Sequence, residues 1–128
     1  MKRAYPIIIK EEEGDYYVRI PDFNISTQGT DVADAIAMAR DAIGLVGIDM
    51  QDDKKELPEP YSIKEESEEG DILTLVDVDF TEYRKKNDNR AVKKNLTIPS
   101  WLNEEANRAG VNFSRLLQEA LMEHLNLR

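Results

Sequence analysis

The C-terminal end constrains this chain most: a short strand and two amphipathic helices must fold there with too little chain to make a core. In residues 91–99, Val92, Leu96 and Ile98 share one face of an alternating strand, and Lys93, Asn95 and Thr97 share the other. Pro99-Ser100 ends the strand and opens a helix predicted from Trp101 to about Ala109, with Leu102 and Ala106 one turn apart. Gly110 suits the left-handed residue that closes such a helix. Asn112 is a natural N-cap for a second helix, predicted from Phe113 to about Leu125. Its apolar positions Phe113, Leu116, Leu117, Ala120, Leu121 and Leu125 form one stripe. A unit this small cannot bury that stripe alone, and a lone strand leaves its backbone groups unpaired. The economical remedy is a second copy: a homodimer through residues 91–128, with two strands paired antiparallel and four helices interlocked beneath them.

A two-stranded ribbon of that kind fits the DNA major groove, where its outward residues reach base edges. Lys93, Asn95 and Thr97 are therefore the candidate base contacts. Asn pairs with adenine N6 and N7, Lys donates to guanine O6 and N7, and Thr offers a hydroxyl and a methyl. Candidate phosphate contacts are Lys94 and the start of the second helix, where Asn112 caps the turn and the Phe113 and Ser114 amides can hold an anion.

The net charge of −9 conceals a division. Residues 1–80 carry 8 Lys+Arg against 20 Asp+Glu, whereas residues 81–128 carry 9 against 6. The acidic part should repel phosphate and attract a basic protein, and the basic part the reverse. Arg84, Lys85, Lys86, Arg90, Lys93 and Lys94 concentrate the positive charge; Lys85, Lys86, Arg90 and Lys94 read equally as a solvated linker or as phosphate-touching residues. The absence of cysteine excludes disulfides, thiolate metal sites and cysteine nucleophiles. With no long apolar run and no apolar leader, a soluble cytoplasmic protein without a membrane partner is expected.

Upstream, strands are predicted over residues 4–10, 16–20 and 25–28, with Pro6 marking an edge or a strand start. Thr30 is the candidate N-cap of a helix whose Val32, Ala35, Ile36, Ala39, Ile43 and Val46 fall on one stripe. Gly44 and Gly47 weaken its last turn, so the helix is expected to end near residue 46 or a few positions later. Residues 51–70 read as a long acidic connection and residues 71–80 as a strand. There Ile72, Thr74, Val76, Val78 and Phe80 lie on one face, opposite Leu73, Leu75, Asp77 and Asp79. The expected fold class is α+β: a β-β-β-α-β sheet with one packed helix in residues 1–82, a linker in 83–90, and the β-α-α dimerisation module in 91–128.

Lys93-x-Asn95-x-Thr97-x-Pro99, a helix closed by Gly110, then Asn112-Phe113-Ser114-Arg115-Leu116-Leu117 resembles the ribbon-helix-helix repressors. Tyr16-Tyr17-Val18-Arg19-Ile20-Pro21-Asp22-Phe23, Thr27-Gln28-Gly29-Thr30 and Ala35 resemble the start of HicB-type antitoxins, with departures at Asn24-Ile25 and at Asp34, which takes the usual Glu place. The resemblance implies a degenerate, partial ribonuclease-H-like sheet in the first module. It also implies a small basic ribonuclease of the HicA type as partner, operator DNA as the second partner, and repression of the protein's own operon.

Two other functions compete. A nuclease could present Asp15, Asp77 and Asp79 to magnesium. However, Asp77 and Asp79 lie near the strand's end, where surface carboxylates are common, and no further acid visibly converges on them. No catalytic residue, metal site or cofactor is therefore expected. A standalone transcription factor with a ligand-sensing sheet would instead need a formed apolar pocket. His124 has no sequence-near ligand partner and reads as structural. Trp101 reads as a packing anchor of the dimer.

Overall fold

Strand alternation and two local turns set the frame of the first unit. A computed structural model describes residues 1–127, in two units divided between Arg90 and Ala91. In the first, β1 (Lys2–Glu12) turns through Glu13 and Gly14 into β2 (Asp15–Ile20). Both turn residues have positive φ, 53° and 86°, the conformation whose twist suits a two-residue hairpin. Pro21–Phe23 forms one 3-10 turn, and β3 (Ile25–Gly29) follows. Then come α1 (Val32–Asp52), β4 (Ile72–Asp79) and α2 (Phe80–Asn87). The second unit holds α3 (Ser100–Arg108) and α4 (Phe113–His124). The fold class is α+β.

The sheet is antiparallel throughout, in the order β3-β2-β1-β4. One face carries Tyr5, Ile7, Ile9, Val18, Ile20, Val76 and Val78, all buried, and packs on Ala35, Ala39 and Ile43 of α1. The two alanines let helix and sheet approach closely. Pro6 is not at the start of its strand. It pairs with Leu75 of β4, but the β1–β2 ladder begins only at Ile8 opposite Arg19, so β1 has a neighbour on one side alone at that point.

Three expectations are corrected. Asp31, not Thr30, caps α1: its carboxylate accepts the Asp34 amide at 2.7 Å, while the Thr30 amide donates to Asp34 at 2.9 Å. The helix also runs on to Asp52 through both glycines. A Cβ on Gly47 would stand 2.2 Å from the Phe80 ring, and one on Gly44 would stand 2.4 Å from the Tyr83 ring. The glycines are therefore clearances for α2, not weak points of α1. Finally, residues 83–87, read as linker, are the body of α2. Asp79 caps that helix by accepting the Thr81 and Glu82 amides, and α2 belongs to the first unit.

Candidate functional site

The second face of the sheet is the unusual one. Pro6 and Ile8 on β1 lie opposite Leu75 and Leu73 on β4, and the two leucines stay 51% and 64% exposed. Beside them runs the connection from α1 to β4, residues 53–71, which holds no helix or strand. It is tied to the sheet by side chains. The Tyr5 hydroxyl donates to the Pro58 carbonyl at 2.8 Å and Arg3 to the same oxygen at 3.1 Å. Arg19 grips Glu65 at 2.9 Å, and Lys10 pairs with Glu68. Tyr61 and Ile63, both exposed, form the opposite wall of a groove of about 410 Å³ over Pro6, Ile8, Leu73 and Leu75.

Asp22, only 6% exposed, holds that wall. Its carboxylate accepts the Tyr61 amide at 3.0 Å, the Ser62 hydroxyl at 3.0 Å and the Ile63 amide at 3.1 Å. Tyr61 itself has φ 62°, a left-handed conformation disfavoured for a bulky residue. In the sequence Asp22 stands out only as part of the Tyr16–Phe23 family-like motif. Its partners lie about forty residues on, in a segment without period, so no local signal pointed to them.

At the end of this unit, Asp52, Arg84, Asp88 and Arg90 form one ion network. Arg84 meets Asp52 at 2.9 Å and Asp88 at 3.5 Å, and Arg90 meets Asp88 at 2.8 Å and Asp52 at 3.4 Å. The Arg90 guanidinium, with its backbone amide, holds the Asp88 carboxyl far below the usual carboxylate range. Two of the cations expected in a free basic linker are thus engaged within their own unit.

The three carboxylates weighed for a magnesium site do not converge. Asp15 pairs with Glu12 at one end of β1, and Asp77 pairs with Ala4 near the other end. At about 3.4 Å per residue those positions lie some 27 Å apart, too far to share an ion. Asp77 binds Arg40 at 3.1 Å and Lys2 at 3.4 Å, which hold its carboxyl below the usual range, and Asp79 is the α2 cap. Among the described residues, no group of His, Cys, Asp or Glu could hold a metal. None of their helices is long and apolar enough to cross a membrane.

In the second unit, Gly110 has φ 70° and closes α3. Its amide donates to Asn107, and the Val111 amide donates to Ala106, both at 3.1 Å. Asn112 caps α4 by accepting the Arg115 amide at 3.0 Å, which places the Phe113 and Ser114 amides in a first turn that has no intrahelical acceptors. Residues 91–99 form no ladder within the single chain. Lys93, Lys94, Asn95 and Thr97 are exposed along this segment, and so are Val92 at 80% and Leu96 at 66%. Trp101 is 67% exposed, and neither helix buries a residue.

Two apolar surfaces thus lie on separate units, one bordered by acids and one accompanied by lysines. Residues 5–120 match the profile of the HicB-like antitoxins of bacterial toxin–antitoxin systems. The chain belongs to that family. The antitoxin is similar in structure to a chain of a toxin–antitoxin complex from Streptococcus pneumoniae, with 27% identity and a TM-score of 0.60; the match covers 97% of this chain and 99% of that one. It is also similar to the antitoxin HicB of Burkholderia pseudomallei, with 22% identity, a TM-score of 0.53 and 96% of each chain covered, a likeness that speaks for the fold alone. No curated protein matches the antitoxin.

Proposed function

We propose that this antitoxin binds and occludes a small, basic HicA-type ribonuclease through its acidic first unit, and represses its own operon through a ribbon-helix-helix dimer of residues 91–128. On this reading it is a cytoplasmic, non-enzymatic inhibitor and repressor. The observation that carries the DNA half is the second unit's lack of a core. Val92, Leu96, Trp101, Leu102, Phe113, Leu116, Leu121 and Leu125 are all exposed in the single chain, and the 91–99 segment has no strand partner. A second copy supplies both needs at once by pairing the two segments antiparallel and burying the helical stripes.

Pairing of that kind turns Lys93, Asn95 and Thr97 outward into the major groove and leaves Lys94 and the α4 N-terminus, with Asn112, Phe113 and Ser114, to hold phosphates. The toxin half is supported by family membership and by the negative charge of residues 1–80, which speeds encounter with a basic partner. Two modules on one chain also couple the functions, since a bound toxin changes how the dimer engages paired half-sites.

The test of the DNA half is a gel-shift titration with DNA from upstream of the protein's own gene. Asn95→Ala is expected to lose recognition of that DNA while remaining a dimer and still binding toxin. Unchanged affinity in that titration sinks the base-contact assignment.

A further inference from the structure

We propose that the outer face of the sheet, where Leu73 and Leu75 face Tyr61 and Ile63 across the groove, is the docking surface for a basic protein. Asp22 is the positioning residue that holds its loop wall. The assignment rests on the toxin-binding reading and names the face that binding uses.

Four large apolar side chains stand exposed around one groove, a concentration that marks an interaction site in a soluble domain. The loop wall is ordered before any partner arrives. Asp22 gathers three donors from consecutive residues and keeps Tyr61 in its left-handed conformation, with its ring and the Ile63 side chain presented outward. Ordering a contact loop in advance lowers the entropic cost of binding.

Charge selects the occupant. Over residues 61–71, the loop that walls the groove carries Glu65, Glu66, Glu68, Glu69 and Asp71 against one cation, Lys64. Lys64 and Glu65 line the groove, and Glu66, Glu68 and Asp71 line a neighbouring depression over Ile8 and Lys10. Arg19 neutralises Glu65 and Lys10 neutralises Glu68, but no cation pairs with Glu66 or Glu69 among the described residues. A second copy of this chain would bring two such acidic rims together, whereas a basic protein with an apolar contact patch complements both features. Edge-to-edge pairing of two β4 strands is further opposed by Arg40. Its guanidinium donates to the Asp77 carbonyl at 2.9 Å and places a charge on that edge.

The experiment uses the full chain and, as probe, the catalytically silenced product of a small basic reading frame found beside its gene, with affinity read by calorimetry. Leu73→Asp/Leu75→Asp is compared with Met38→Asp/Leu45→Asp, an equal charge change at exposed positions of α1. The face variant is expected to lose about tenfold or more in affinity and the α1 variant to bind like wild type. Asp22→Asn is expected to weaken binding in the wild-type background and to add nothing to the face variant, a coupling that a general loss of stability would not produce. Wild-type binding that survives in the face variant overturns the face and leaves the toxin-binding reading standing. Failure of the wild-type chain to bind the probe overturns both. A face variant that binds the probe normally but loses self-association makes the groove an interface between copies and also overturns the proposal.

Discussion

The Asp22 carboxylate accepts the Tyr61 amide at 3.0 Å across thirty-nine residues of sequence, and Tyr61 holds φ 62° at that contact. A buried acid and a backbone in a disfavoured conformation sustain one another. Asp22→Ala leaves the donors of Tyr61, Ser62 and Ile63 without their acceptor and is expected to cost about 2 kcal/mol. Urea denaturation monitored by circular dichroism checks the value, and a loss below a few tenths of a kcal/mol would contradict this role.

Gly47→Ala opposes two effects on one atom. The added methyl raises helix propensity by about 1 kcal/mol, but it falls 2.2 Å from the ring of Phe80, which is 1% exposed and cannot swing into solvent. Overpacking of a filled core costs about 1–3 kcal/mol, so net destabilisation of about 1 kcal/mol is expected. Thermal unfolding of the variant, with its far-ultraviolet spectrum unchanged, is the check.

These two positions show where the sequence was legible. Gly110 and Asn112 were readable because a helix cap involves residues within one turn, and both behave as expected. The α1 stripe and the alternation of β4 were readable from periodicity alone. Gly44 and Gly47 were misread as weak points because what fills their clearance, Tyr83 and Phe80, lies more than thirty residues away. Residues 83–87 looked like a linker because α2 buries Phe80 and little else, so its polar composition hides its docking on α1. On the candidate groove, Leu73 and Leu75 were visible as a second apolar face of β4. The opposing Tyr61 and Ile63 sat in a segment without period, and only tertiary structure brings them over the sheet.

Acid and alkali should act on different parts of the first unit. The folded-state carboxyls of Asp77 and Asp88 lie below the usual range, Asp77 through Arg40 and Lys2, and Asp88 chiefly through Arg90. A depressed carboxyl contributes stability that is complete above the ordinary aspartate value of about 4 and is lost as pH falls further. No pH dependence from these groups is expected between pH 5 and 8. Tyr83 is the reverse case, because burial and the hydrogen bond to Asp41 push its hydroxyl up to about 12. Its contribution is whole below its ordinary 10.0 and is lost as pH rises toward 12. Denaturation midpoints across both ranges, for wild type and Tyr83→Phe, test this: the substitution should reduce the alkaline loss and leave the acid loss in place.

Co-expression of this chain with a small basic reading frame found beside its gene tests the central claim most directly, with growth and co-purification scored together. The account predicts that the neighbouring product arrests growth alone, that this antitoxin restores it, and that the two proteins purify as one complex. Growth arrest that persists beside abundant folded antitoxin, with no complex recovered, would contradict it.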